Sequence, residues 1–214
     1  MSFMKIDVLT LFPSMFSGPF EFSMVKRAID KRILDLRFTD LRKFASDKYK
    51  SVDDRPYGGG AGMIIRVDII DKALAGKTGK VILLDAGGEK FTQKKAVQLS
   101  KEKELIIICG HYEGIDHRVH EHLVDEVISI GDYVLSGGEI PAMVLIDSIT
   151  RLLPGVLGNE KSLDEESFTE HQIPNTEYPQ YTRPEDYKGW KVPEVLLSGD
   201  HKKIKEYRNK KQHV

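Results

Sequence analysis

The sequence predicts an α/β fold built on a parallel sheet, and three observations carry that prediction. Near-continuous apolar runs of strand length, at residues 5–12, 81–84, 105–109 and 124–130, alternate with segments of helix length and period. Strands that alternate with helices pair in parallel through right-handed crossovers, which puts every strand C-terminus on one side of the sheet. Three successive runs end in glycine-containing segments, 85–88, 110–114 and 131–138. Those segments should therefore converge on a single pocket, the place where open α/β sheets bind ligands.

In chain order, the strand over 5–12 is β-branched, and Pro13 closes it. A helix over 23–31 leads to a strand over 34–39, whose alternating pattern fits one exposed face. Residues 40–55 are polar and charged with few apolar anchors, which reads as a mobile or ligand-organised loop. A short helix over 67–75 precedes the strand 81–84 and its loop 85–88. Helices follow over 92–101 and 116–122, and another from Ala142 to about Arg151. Residues 159–177 are polar with little periodicity and read as an interdomain linker. Residues 178–193 are rich in proline and aromatics, and a small, mostly helical module runs from about Arg183 to the end.

A chain of 214 residues can bury one substantial core plus an appendage. Its 40% hydrophobic and 30% charged content fits a soluble globular protein. There is no apolar run of about 18 residues, and the N-terminus turns acidic within seven residues, so neither a membrane span nor a signal peptide is expected and the cytoplasm is the expected location. Cys109 is the only cysteine, which excludes internal disulfides and a cysteine-based zinc cluster; in its apolar strand it reads as a small hydrophobe. Residues 183–214 hold nine Lys/Arg against five Asp/Glu, while the rest of the chain is net acidic. That basic end suits phosphate binding, and equally a solvated helix.

Two glycine clusters stand out. IGDYVLSGGEIP, residues 130–141, fits neither the dinucleotide nor the phosphate-loop spacing, which leaves close main-chain approach to a flat ligand or a tight turn before a helix. In RPYGGGAGM, residues 55–63, four of five consecutive positions from 58 to 62 are glycine, more than a turn needs. His111, His117, His120 and His122 invite a metal reading, but H-E-x-x-H is absent and solvated helix histidines are the simpler account. No G-x-S-x-G supports a hydrolase.

Seven collinear stretches resemble one family: LTLFP (9–13), DDRPYGGGAGM (53–63), CGHYEGID (109–116), IGDYVLSGGEIPAM (130–143), RLLPGVLGN (151–159), YPQYTRPEDYKG (178–189) and VPEVLLSGDH (192–201). Together they are similar to the bacterial tRNA (guanine-N1-)-methyltransferases of the TrmD type. The resemblance implies the SPOUT class: a parallel-sheet α/β domain tied in a C-terminal trefoil knot, with a small helical C-terminal domain. It implies an S-adenosylmethionine-binding domain over 1–158, a linker with the catalytic carboxylate over 159–182, and a short tRNA-binding domain over 183–214. It also implies a homodimer with a shared active site, tRNA with guanosine 37 as substrate, S-adenosylmethionine as methyl donor, and magnesium as an activator, although the sequence holds no dedicated metal cluster.

By motif, the implied cofactor contacts are Leu83, Leu84, Asp85 and Ala86; Gly110, Tyr112, Glu113 and Gly114; and Ile130, Gly131, Asp132, Tyr133, Val134, Leu135, Gly137, Gly138 and Pro141. The implied substrate contacts are Gly58, Gly59, Gly62 and Ser162, and the implied catalytic pair is Glu166 with Arg151. Guanine N1 carries a proton at neutral pH, so a base must remove it while a cation steadies the charge growing on O6; a carboxylate and a guanidinium suit those tasks.

The chain also departs from the family pattern. The family's base is an aspartate in a D-S-F triplet, where this chain has Glu166-Ser167-Phe168. The extra methylene adds roughly 1.5 Å of reach. Residues 85–88 read DAGG where S-P-Q-G is common, so Asp85 either faces ribose hydroxyls or is plain loop surface. The linker is longer than usual and the C-terminal domain shorter. These departures motivate a second reading, a SPOUT-like nucleotide-binding RNA-interaction protein with altered or lost catalysis.

Overall fold

The computed structural model describes residues 3–157 and 178–211. The linker residues 159–177, and with them Ser162 and Glu166, lie outside the described residues. The chain divides into two compact units, Met1–Gly158 and Asn159–Val214.

The first unit is organised by five parallel strands: β1 (Met4–Thr10), β2 (Leu34–Asp40), β5 (Lys80–Lys90), β6 (Glu104–Cys109) and β7 (Glu126–Ser129), in the order β2-β1-β6-β5-β7. β6 lies at the centre, and its Ile107 is in register with Val8 on one side and Ile82 on the other. A strand buried on both faces must be apolar at every position, which explains the unbroken run Leu105-Ile106-Ile107-Ile108-Cys109. Leu105, Ile107 and Cys109 enter one core and Ile106 and Ile108 the other, the period-two alternation of a strand. Each such isoleucine contributes about 1.5–3 kcal/mol by leaving water.

The first core is closed by α1 (Ser23–Asp30), α3 (Gln93–Leu99) and α5 (Glu139–Thr150), and the second by α2 (Val67–Leu74) and α4 (His117–His122). α1 and α2 are amphipathic, burying Val25 and Ala28, and Ile69, Ile70 and Ala73. α5 is apolar almost all round. It buries Ala142, Leu145, Ile146 and Ile149, and its outer face still carries the exposed apolar residues Ile140 and Val144. No described helix is long and apolar enough to cross a membrane.

Three sequence expectations need correction. Residues 85–88 are not a loop after a strand ending at Leu84: β5 runs on to Lys90, with a register shift between Leu84 and Glu89, and pairs Glu89 with Ile128. Gly88 makes this possible, because a Cβ there would lie 2.6 Å from the Ile128 backbone nitrogen. α5 begins at Glu139, three residues before the expected Ala142, because proline is tolerated in a first helical turn. Residues 40–55 are better anchored than their composition suggests. They contain a 3₁₀ turn, Leu41–Phe44, in which Leu41 is buried, then buried Val52, and β3 (Asp53–Asp54), which pairs antiparallel with β4 (Ile64–Ile65).

In the second unit a two-stranded hairpin, β8 (Asp186–Tyr187) with β9 (Trp190–Lys191), precedes α6 (Glu194–Leu197) and α7 (His201–Lys211). The hairpin is absent from the mostly helical expectation. Two-residue strands are too short to show a period, and here Tyr187 packs edge-on against Trp190 at 5.8 Å.

Candidate active site

Adjacent parallel strands bring their C-terminal ends side by side, and in the order β6-β5-β7 the segments after β6 and β7 flank the middle of β5. Residues 84–86, 110–114, 129–131 and 133–138, with Pro141, line one cleft of 210 Å³. Tyr112 and Tyr133 supply aromatic edges, Leu135 and Pro141 apolar surface, and the glycines bare main chain. That mixture suits a flat heteroaromatic ligand with polar substituents.

The walls are held by contacts that only glycine allows. Gly138 N–H donates to Gly110 C=O at 2.8 Å, and a Cβ on Gly138 would lie 2.7 Å from the Cys109 Cα. The 131–138 loop thus lies directly on the end of β6, and His111 forms an antiparallel bridge with Gly137. At the loop's start, Ser129 Oγ donates to Gly131 C=O at 3.0 Å and accepts from Gly131 N–H at 3.3 Å. The Tyr133 ring folds back so closely over Gly131 that a Cβ there would be 2.4 Å from a ring carbon. Tyr112 sits at φ 58°, a region non-glycine residues seldom adopt, and strain of that kind clusters at ligand sites.

Among the expected cofactor residues, Leu83 and Asp132 stand apart from the cleft. Strand alternation turns Leu83 into the core opposite Leu84, where it is fully buried. Asp132 faces solvent and pairs with Lys90 Nζ at 2.6 Å. His111, Ser129 and Ser136 line the cleft although the sequence reading did not count them among the cofactor contacts. His111 and Ser136 lie inside the quoted motifs, and Ser129 immediately precedes one. Asp85 does line the cleft, but its oxygens are engaged within the protein: Oδ1 accepts from Gly87 N–H at 2.8 Å and Oδ2 lies 3.5 Å from His120 Nε2.

The glycine cluster 58–62 adjoins this site at one end. A Cβ on Gly62 would meet the Glu113 side chain at 2.4 Å, and Glu113 N–H donates to Met63 C=O at 3.1 Å. Gly58 and Gly59 have φ of 84° and 83° with nothing near their missing side chains. Arg151 caps the C-terminus of α5, half-buried, at the far end of the helix from the cleft. Twelve helical residues span about 18 Å.

Cys109 is fully buried and its thiol is pushed well up, by burial first and by the Glu139 charge second, so it is no thiolate nucleophile. Among the described residues no three His, Cys, Asp or Glu side chains gather where they could hold a metal ion. No step is assigned to a metal ion. The second unit contains a larger cavity, 590 Å³, bordered by Tyr178, Tyr181, Leu196 and Arg208. It lies between short elements and lacks the convergent main chain of the strand ends, so the smaller cleft is the better candidate.

A family profile described as tRNA (Guanine-1)-methyltransferase TrmD matches residues 4–214. The tRNA (guanine-N(1)-)-methyltransferase of Geobacillus kaustophilus is 53% identical over 212 residues, covering 97% of this chain and 86% of that protein. The enzyme of the same name from Carboxydothermus hydrogenoformans is 53% identical over 210 residues, covering 97% and 82%. The solved structure of tRNA (m1G37) methyltransferase from Aquifex aeolicus superposes with a TM-score of 0.79 at 42% identity, covering 96% of this chain and 88% of that one. The chain belongs to the TrmD family of tRNA (guanine-N1-)-methyltransferases.

Proposed function

We propose that this protein methylates N1 of guanosine 37 in tRNA, next to the anticodon, with S-adenosylmethionine as the methyl donor. The observation that carries this reading is the convergence of 84–86, 110–114, 129–131 and 133–138 on one main-chain-rich cleft, in a chain that is 53% identical to a named tRNA (guanine-N(1)-)-methyltransferase. The cleft residues fit the donor: glycine-exposed amides and carbonyls face a purine edge, Tyr112 and Tyr133 present rings, and Glu113 offers a carboxylate to hydroxyl or ammonium groups. When bound, S-adenosylmethionine supplies an electrophilic methyl group on a sulfonium.

The chain's own residues do the rest. Glu166, outside the described residues, is the proposed base that takes the guanine N1 proton, and Arg151 the cation that steadies charge on O6. Gly58, Gly59, Gly62 and Ser162 are proposed to border the target base. Alignment matters more than activation here, because a sulfonium carries its own leaving group.

The proposed active assembly is a homodimer. The α5 geometry supports it, since Arg151 stands about 18 Å from the cleft-side end of its own helix, farther than an arginine side chain extends. The exposed apolar residues Val134, Ile140 and Val144 support it as well. The proposed topology is the trefoil knot of the SPOUT class, a reading favoured by the seating of 131–138 against Gly110. The described basic helix α7 supports a tRNA-binding role for residues 183–214, and the linker is proposed over 159–182. A tRNA substrate favours a cytoplasmic location.

The test is transfer of labelled methyl to transcripts bearing G36G37 or G36A37, by wild type, Glu166→Gln and Arg151→Ala. The expected result is methylation of the first transcript only, reduced about 100-fold or more in each variant while cofactor binding persists. A wild-type protein that binds cofactor and methylates neither transcript would instead favour the RNA-interaction reading.

A further inference from the structure

One buried ionisable group has no part in the chemistry above. Glu139 opens α5, immediately after the 131–138 loop, and its side chain is only 2% exposed. A carboxylate in such a place is costly unless donors surround it. Thr10, fully buried at the end of β1, donates its hydroxyl to Glu139 Oε1 at 2.7 Å. The Thr10 oxygen in turn accepts from Phe12 N–H at 2.9 Å, which orients the hydroxyl. On the other side, Glu139 Oε2 faces His111 Nδ1 at 4.0 Å, beyond hydrogen-bond distance, and that nitrogen is buried with no hydrogen-bond partner. Gly137 fits between them: a Cβ there would lie 2.5 Å from Glu139 Oε2 and 2.6 Å from His111 Nδ1. The His111 ring is wedged edge-on between Phe12 at 4.8 Å and Tyr112 at 5.1 Å, and Tyr112 is the cleft residue with positive φ.

Three segments far apart in sequence thus meet at one carboxylate: the end of β1, the 110–114 wall through His111, and the 131–138 wall through Gly137 and the start of α5. Both walls border the cleft, whereas Glu139 lies behind them. We infer that Glu139 is a positioning residue for S-adenosylmethionine, a buried carboxylate that fixes the two walls of the cofactor cleft relative to each other through the hydrogen bond from Thr10 and its close approach to His111. This rests on the cleft being the cofactor site.

The experiment measures S-adenosylmethionine affinity by calorimetry, steady-state kinetics with the G36G37 transcript, and melting temperature, for wild type, Thr10→Val, Glu139→Gln, Glu139→Ala and the Thr10→Val/Glu139→Ala double variant. Glu139→Ala should raise Kd and KM for the cofactor about tenfold or more, with kcat at saturating cofactor and KM for tRNA within about twofold of wild type. Glu139→Gln keeps an acceptor for Thr10 and should retain most of the affinity. Thr10→Val, nearly isosteric, should weaken cofactor binding on its own, and the double variant should be no worse than Glu139→Ala, because both changes break one contact. If Glu139→Ala does not fold, Thr10→Val carries the test. The inference is overturned if folded Glu139→Ala binds cofactor like wild type, or if Thr10→Val lowers only the melting temperature. Gly131→Val is the control for the cleft itself. If it leaves binding intact, the cleft assignment falls and this inference with it; if it abolishes binding while Thr10→Val and Glu139→Ala bind cofactor like wild type, only the inference falls.

Discussion

Two glycine-rich segments, 131–138 and 58–62, look alike in composition and obey different physics. Gly137 and Gly138 are needed for what they lack: a side chain there would collide with the His111 ring, the Glu139 carboxylate or the backbone of β6. Gly58 and Gly59 are needed for how they turn, at positive φ, in open space. Glycine in the first segment permits close packing, and in the second a conformation. Gly62 belongs to both kinds, with φ of 75° and the Glu113 side chain 2.4 Å from its missing Cβ. The difference teaches that a rigid cleft wall and an adaptable approach can be written with the same residue.

The largest expected effect therefore comes from Gly138→Ala. The new methyl would sit 2.7 Å from the Cys109 Cα and 2.9 Å from Gly110 N, atoms that move only if the end of β6 moves. Cofactor affinity should fall by about 100-fold or more, since displacements near 1 Å cost that much at an aligned site. Calorimetry on folded protein checks this, and wild-type affinity would mean that the two walls separate freely. Gly62→Ala should act more mildly. Its obstacle is the flexible end of Glu113, which can swing aside but then leaves the cleft. A drop on the order of tenfold in kcat/KM for the cofactor is expected, read in the methyl-transfer assay.

Much of the fold was legible because the sheet is buried on both faces. The run 105–109 could be nothing but an interior strand, and its neighbours followed from alternation with helices. The same completeness hid other facts. In an unbroken apolar run no residue announces its face, so Leu83 and Leu84 looked equivalent although they enter opposite cores. Gly87-Gly88 read as a loop because sequence does not distinguish a glycine that turns from one that lets strands touch. The bond from Thr10 to Glu139 spans 129 residues, and no local pattern encodes it. His111 reads in sequence as one of four histidines that invite a metal, since nothing local says that a buried carboxylate faces it.

A smaller effect is expected where the 110–114 wall joins α4. Asp116 caps that helix, its Oδ1 accepting from Arg118 N–H at 3.0 Å, and the Arg118 guanidinium lies 2.6 Å from Oδ2. The hydrogen bond from that guanidinium, above all, holds the Asp116 carboxyl below its ordinary value. Asp116→Ala should cost about 1 kcal/mol at neutral pH, measured by denaturant unfolding. A carboxyl depressed in the folded state stabilises above its unfolded pKa of about 3.9 and loses that contribution as pH falls through its folded value. The stability gap between wild type and variant should therefore be constant near neutrality and close in acid. A gap unchanged on acidification would mean that Asp116 acts by packing and not by its charge.

The smallest effect should come from Gly59→Ala. Nothing lies within 4 Å of the new methyl, so no neighbour has to shift and the cost is conformational only. Holding alanine at φ 83° costs about 1 kcal/mol, partly offset because alanine also restricts the unfolded chain. Melting temperature should fall slightly, and cofactor affinity should stay at the wild-type value, because no atom of the cleft touches Gly59. If the segment must bend to admit the target base, the strain appears instead in KM for tRNA, with KM for the cofactor unchanged. A parallel rise in both constants would show that 58–62 is coupled to the cleft as stiffly as 131–138 is, and the contrast between the two glycine segments would fail.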